Sequence, residues 1–151
     1  MQLVVFLLNG QRHALPLAAV DHVVAAVEVT PLPGAPAIVL GAIDVGGRIL
    51  PVFDMRRRFR LPERPIGPAD QFLIARTARQ AVALAIDEVR GVIEDEQCAG
   101  LDIDPAGIVP GLEQFLGVVR LDDGLALIHD LEKFLSLDEA RTLDEAMERA
   151  R

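Results

Sequence analysis

Tryptophan and tyrosine are absent from these 151 residues, and six phenylalanines supply every aromatic side chain. Cys98 is the only cysteine, so no internal disulfide can form, which fits a reducing compartment. It lies in a loop-like stretch without a clear basic neighbour and reads as a small unreactive residue. Ser136 is the only serine, and it sits at a cap-like position near the end of the chain. With neither G-x-S-x-G nor G-x-x-x-x-G-K-[ST] present, the usual acyl-transfer and nucleotide signatures fail. Three scattered histidines, His13, His22 and His129, form no i, i+4 pair, so no zinc site and no cofactor is expected. His129 stands beside Asp130 and Glu132, but it reads as a solvent-side strand position alternating with Leu127 and Ile128. Apolar runs such as Leu3 to Leu8 and Ala81 to Ile86 fall well short of the ~20 residues that span a bilayer. No basic segment precedes Leu3, so no secretory leader is expected either, and a cytoplasmic protein is.

Hydrophobic residues make up 51% of the chain, mostly Val, Leu, Ile and Ala, enough for an ordinary core. Net charge is −8, yet fourteen of the fifteen basic residues are arginine, Lys133 being the exception. That balance opposes non-specific binding to phosphate backbones. Arginine suits pairing with carboxylates at protein interfaces.

Short apolar runs separated by turn signals dominate the chain. Leu3 to Leu8 leads through Asn9-Gly10 to Arg12 to Leu15, a hairpin pattern. Asp21 to Val27 is a third strand, and Glu28 to Pro36, with three prolines, is an irregular connector. Leu40 to Val45 and Arg48 to Phe53 are joined by Gly46-Gly47, which suits a type I′ turn. Met55 to Phe59 fits one helical turn, and "LPERPIGP" (Leu61 to Pro68) is a linker. Strands resume at Gln71 to Thr77, Ala81 to Ile86 and Glu88 to Glu94, with Gly91 a candidate bulge. Residues 95 to 115 read as a long loop. Leu116 to Leu121 and Leu125 to His129 form a last hairpin around Asp122-Asp123-Gly124. About ten short strands at this spacing predict an all-β barrel or sandwich.

The C-terminus changes period. Leu131, Phe134 and Leu135 have helical spacing, so a helix starts near Asp130. "SLDE" (Ser136 to Glu139) and "TLDE" (Thr142 to Glu145) both match the capping box. Either one helix runs through both, or the chain breaks near Ser136 and restarts.

The arginine burst Arg56 to Arg60, with Arg48 and Arg64, is the best nucleic-acid candidate. Acidic balance and scarce aromatic platforms argue against it, and Phe59 reads as an anchor for the turn. Asp54 and Asp87, each at a strand end, read as structural hydrogen-bond acceptors or arginine partners.

Four motifs in order resemble the CheW family of bacterial chemotaxis adaptors. "VVFLLNGQRHALPLAAVDHVV" is similar to its first segment. "VTPLPGAPAIVLGAIDVGGRILPVFDMRRRF" resembles its signature, in which a proline-rich loop leads to G-x-x-N-L-R-G and then an apolar strand ending P-x-x-D-L-R. "ALAIDEVRGV" and "LGVVRLDDGLALIHDLEKFL" resemble the later strand pair and the closing hairpin and helix. The resemblance implies two small five-stranded, SH3-like β-barrels packed on a shared hydrophobic core, in an all-β fold with a C-terminal helix. A CheW-like domain over residues 1–135 and an acidic helical extension over 136–151 are expected. It implies a non-enzymatic adaptor that joins the cytoplasmic tips of chemoreceptors to the regulatory domain of a CheA-type histidine kinase. Other CheW-like domains are possible ring partners, with no nucleic acid and no membrane insertion. Carried over by motif, Asp44, Gly46, Gly47 and Arg48 fall at the receptor-binding turn. Val20, His22, Val23, Leu40 and Gly41 fall on strands implied to face the kinase. The alternatives are a divergent CheW-like scaffold in another two-component pathway and a nucleic-acid-binding barrel using Arg56 to Arg64. One departure stands out: where the family reads N-L-R-G, this chain reads Asp44-Val45-Gly46-Gly47. A guanidinium is lost there and a negative charge gained.

Overall fold

The computed structural model of the chain describes residues 2–94, 115–121 and 124–150. Its strands are β1 (Gln2–Leu8), β2 (Gln11–Pro16), β3 (Val20–Ala25), β4 (Val39–Val45), β5 (Arg48–Phe53), β6 (Gln71–Arg76), β7 (Ala81–Ile86), β8 (Glu88–Glu94), β9 (Phe115–Leu121) and β10 (Gly124–His129). A short helix α1 (Met55–Arg58) follows β5, and α2 (Leu137–Ala150) closes the chain. Asn9 and Gly10 (φ 55° and 77°) and Gly46 and Gly47 (φ 60° and 85°) have the paired positive φ of type I′ turns. The third strand stops at Ala25 rather than Val27, because its partner β6 begins at Gln71, opposite Ala25. Of the long loop expected over 95 to 115, Phe115 instead opens β9, while the rest, Cys98 within it, and the Asp122-Asp123 tip lie outside the described residues.

Strand order is β8-β1-β2-β10-β9 in one sheet and β3-β6-β7-β5-β4 in the other. Neither sheet closes into a barrel by ladder pairing among the described residues. In the second, the connector after β3 reaches across instead. Thr30 and Ala42 exchange backbone hydrogen bonds of 2.9 and 2.8 Å, tying the segment behind β3 to β4.

Pairing registers reveal a duplication. Moving 69 residues along the chain carries β1, β2 and β3 onto β6, β7 and β8. The pair Phe6↔His13 becomes Ala75↔Val82, and Val20↔Ala75 becomes Val89↔Phe6. Moving 76 residues carries β4 and β5 onto β9 and β10, so Ile43↔Leu50 becomes Val119↔Ala126. Even the irregularities match: Asp21 and Arg90 are the extra residues beside β6 and β1, and Leu40 and Leu116 those beside β5 and β10. The parallel seams β2–β10 and β7–β5 correspond as well. Each half of the chain thus places its first hairpin in the other half's sheet.

Burial explains the continuous apolar runs. Leu3 and Val5 face a core inside the first sheet, while Val4, Phe6 and Leu8 face a core shared with the second. On β6, Phe72 and Ile74 point into the second sheet's own core, and Leu73 and Ala75 into the shared one. A strand buried on both faces has no polar alternation to show. Phe53, Met55, Leu131 and Phe134 extend the shared core, with Phe53 and Phe134 stacked at 4.8 Å.

The ends of β5 and β10 are built alike. Asp54 caps α1 by accepting from Arg57 N, and Asp130 caps a 3-10 turn (Leu131–Lys133) by accepting from Glu132 N. The chain then breaks and restarts. Ser136 Oγ accepts from Glu139 N at 3.1 Å while Glu139 Oε1 accepts from Ser136 N at 2.9 Å, a reciprocal capping box. Thr142 lies inside α2, its hydroxyl donating to Asp138 O. Ala140, Leu143, Ala146 and Met147 are buried, and Leu143 and Met147 enter the shared core. Phe59 also packs against that core, as an anchor would.

His129 is the correction. Expected at the solvent side of β10, it is 2% exposed, and its Nε2 lies 2.7 Å from Nδ1 of His13. This end of β10 is covered on both faces: Ile128 faces the first sheet's own core, while His129, on the opposite face, lies against Phe6 and Phe59 of the shared one.

Candidate docking surfaces

The turn between β4 and β5 stands clear of the core. Asp44, Gly46, Gly47, Arg48 and Ile49 are all exposed. Gly47 N donates to Asp44 Oδ1 at 2.9 Å, so the aspartate rigidifies its own turn. Arg48 has no ion-pair partner among the described residues, which leaves a cation and the apolar Ile49 side by side at the tip. The four residues assigned to one turn are therefore together in space.

The second predicted set is divided. Val20, His22 and Val23 are on β3, whereas Leu40 and Gly41 are on β4, the opposite margin of the sheet. His22 is exposed; Val20 and Val23 are half-buried against the shared core, and Leu40 against the second sheet's own. Gly41 is buried, and a Cβ there would fall 2.2 Å from the Thr30 carbonyl oxygen. Glycine at 41 is needed so that the connector can close against β4, and it presents no side chain to a partner.

Sequence reasoning missed the groove beside Leu40. A cleft of about 670 Å³ runs between the connector (Val27, Glu28, Val29) and the linker (Glu63 to Pro68), with Asp54 and Arg57 lining it. Prolines and alternating charge in the linker were the only signal, and they do not say which surface the linker faces.

Three arginines of the burst are held by carboxylates of the chain itself, while Arg60 is exposed. Arg56, only 9% exposed, pairs with Asp87; Arg57 holds Asp54 and Glu63 at 3.2 and 3.1 Å; Arg58 pairs with Glu139 of α2. Arg64 makes a two-pronged contact with Asp70, both at 2.7 Å, and a third with Asp87. Asp87 also accepts from Asn9 N at 3.0 Å, while its own N–H donates to Leu7 O. Both aspartates read as structural from the sequence, Asp54 and Asp87, are a helix cap and a bracket between the sheets. Four of the arginines proposed for a nucleic-acid patch are thus consumed by internal carboxylates.

The ionisation follows the same geometry. Hydrogen bonding from Arg64 holds the Asp70 carboxyl below its ordinary range, against the opposing effect of burial. The Arg64 guanidinium is held protonated more firmly in return. At Glu139 burial raises the carboxyl, but the Ser136 backbone and Arg58 together outweigh it and the net direction is downward.

A family model described as CheW-like domain matches residues 2–139. This chain belongs to that family. It is 28% identical to "Chemotaxis protein CheW" of Treponema pallidum (strain Nichols), covering 94% of this chain and 86% of that one. It is 29% identical to "Chemotaxis protein CheW" of Bacillus subtilis (strain 168), covering 93% and 90%, and 29% identical to "Protein FrzA" of Myxococcus xanthus, covering 90% and 84%. The solved structure of scaffolding protein TtCheW from Thermoanaerobacter tengcongensis superposes with a TM-score of 0.79 at 25% identity, over 91% of this chain and 89% of that one. Membership of the CheW-like family gives the chain a chemotaxis scaffold class. No helix among the described residues is long and apolar enough to cross a membrane. Within that class its β4–β5 tip carries Gly46 with φ 60°, a conformation glycine adopts without cost.

Proposed function

We propose that this CheW-like chain is a non-enzymatic, cytoplasmic adaptor that couples chemoreceptor tips to the regulatory domain of a CheA-type histidine kinase. The observation that carries this reading is the family match over residues 2–139, on a fold whose β4–β5 tip is exposed and braced by the Gly47–Asp44 hydrogen bond. Asp44, Gly46, Gly47 and Arg48 form the receptor contact. Val20, His22, Val23 and Leu40 supply the kinase-facing surface from the two margins of one sheet, and Gly41 acts by letting that sheet close. Other CheW-like domains complete the assembly as ring neighbours.

The test is co-purification of the full chain with a CheA-type regulatory domain and a receptor cytoplasmic tip. Both are retained if the reading is right, and retention of neither overturns it. Arg48→Glu should weaken receptor retention about tenfold with kinase binding unchanged, and His22→Glu the reverse, by the cost of opposing a rim charge. The charge change at Asp44 and Gly46 favours a second reading, a divergent scaffold serving another two-component pathway. That reading gains if the receptor tip binds only after Gly46→Arg.

A further inference from the structure

Two imidazoles occupy positions where the duplicated register places hydrocarbon. His13 on β2 corresponds to Val82, and His129 on β10 to Phe53, both in the shared core. Their rings are 4.9 Å apart, with Nδ1 of His13 and Nε2 of His129 separated by 2.7 Å. Phe6 stacks on both, at 5.8 and 6.1 Å, and Phe59 lies 5.1 Å from His129. The two strands are those of the parallel seam, Arg12 to Ala14 against Ala126 to Ile128. That seam fastens the N-terminal hairpin into the sheet completed by the C-terminal one.

A nitrogen–nitrogen hydrogen bond needs one ring to donate and the other to accept. The pair satisfies this when both rings are neutral. Once both are protonated, two N–H groups face each other at 2.7 Å inside apolar surroundings, with no acceptor between them. Phe6 from β1 and Phe59 beyond α1 offer no charge to compensate. Among the described residues, Asp130, Glu132 and Arg76 line a pocket reaching His129, and the Arg58 guanidinium lies 5.5 Å over the Phe134 ring. Asp130 is already occupied as a cap, and Glu132 accepts from Ala78 N.

We propose that the His13–His129 pair is an acid-sensitive latch on the β2–β10 seam, closed while both rings are neutral and released when both take up protons. Burial supports it, lowering His13 from 6.5 to about 4 and His129 well below 6.5, the latter also through His13. Depressed folded values mean the unfolded chain binds protons first. The stabilisation is complete above about pH 6.5 and is lost as the pH falls from there towards about 4. Each histidine kept neutral raises the unfolding equilibrium about tenfold per pH unit in that window, and two raise it about a hundredfold.

The experiment compares denaturant unfolding of the full chain with that of His13→Val/His129→Phe, which copies the second sheet. Between pH 6.5 and 5 the unmodified protein should lose stability about a hundredfold per unit more steeply than the double variant. Parallel slopes overturn the latch. If the variant does not fold, ring-nitrogen NMR of the unmodified protein decides. Rings neutral down to about pH 5 support the proposal, and either ring titrating near 6.5 overturns it. Amide exchange locates the opening. At pH 5 protection should fall first at β2 and β10, and equal loss at the corresponding seam β5–β7 overturns a latch at this site.

Discussion

The two sheets keep the same register and the same bulges, yet fill equivalent positions with different side chains. Leu3, Val5, Ala14, Val119, Ala126 and Ile128 line the first interior, and their counterparts in the second are Phe72, Ile74, Ala83, Ile43, Leu50 and Val52. Five of these six pairs differ in residue type, so a shared backbone frame tolerates a small interior in one sheet and a large one in the other. The crossovers between sheets also differ. From β2 to β3 the chain passes Leu17, Ala18 and Ala19 in a 3-10 turn, whereas from β7 to β8 it passes Asp87, bracketed by two arginines and the first hairpin. Topology is duplicated, while among the described residues the arginine–carboxylate bracket at Asp87 has no equivalent at Ala18.

Substitutions at paired positions break or sharpen this comparison. The largest effect is expected at Gly41→Ala, whose Cβ meets the Thr30 carbonyl, and it should cost more than about 3 kcal/mol in denaturant unfolding. The counterpart Gly117 meets nothing within 4 Å among the described residues, so Gly117→Ala should change stability by less than about 1 kcal/mol. Equal costs would mean that the first sheet is closed across β9 in the same way. Next, Leu50→Ala should lose about 3 kcal/mol, while Ala126→Leu, its mirror image, should lose about 2 kcal/mol through overpacking. A neutral Ala126→Leu would show spare room in the smaller interior.

Asp87→Ala leaves the buried Arg56 without its carboxylate and should cost about 2 kcal/mol, less than for a fully buried pair because Asp87 is 26% exposed. Ala18→Asp, at the exposed corresponding position, should stay within about 0.5 kcal/mol. The smallest fastening effect is at the surface: Arg79→Ala, which removes a half-exposed pair with Asp144 of α2, should cost at most about 0.5 kcal/mol and less in high salt. Acid titration adds a check on the fastened side. Asp70 is depressed by Arg64, so its contribution is present above the ordinary carboxylate value and is lost as the pH falls from there through the lowered folded value. Arg64→Met should remove that part of the acid dependence.

Much of the fold is legible residue by residue. Asn9-Gly10 and Gly46-Gly47 announce their hairpins, because few residues accept two consecutive positive φ values. The strands from Gln71 to Glu94 fall within a residue of where β propensity and turn chemistry put them. The β4–β5 tip is likewise legible as a compact exposed turn. The set proposed to face the kinase is less so, since half-buried valines on β3 look the same whether they pack on a core or await a partner. The internal pairing of the arginines was hidden for another reason. Arg58 and Glu139 are 81 residues apart, and His13 and His129 are 116 apart. Local patterns carry no record of such pairings.

By itself the sequence determined where strands begin, where they turn and that the chain ends in a capped amphipathic helix, since these depend on backbone preference and on neighbours within a few residues. Only the tertiary structure decided that the halves exchange their first hairpins, that Gly41 makes room for Thr30, and that two histidines meet in the shared core. Those outcomes rest on contacts between distant segments, where side chains that look solvent-bound in their own strand become the interior of another.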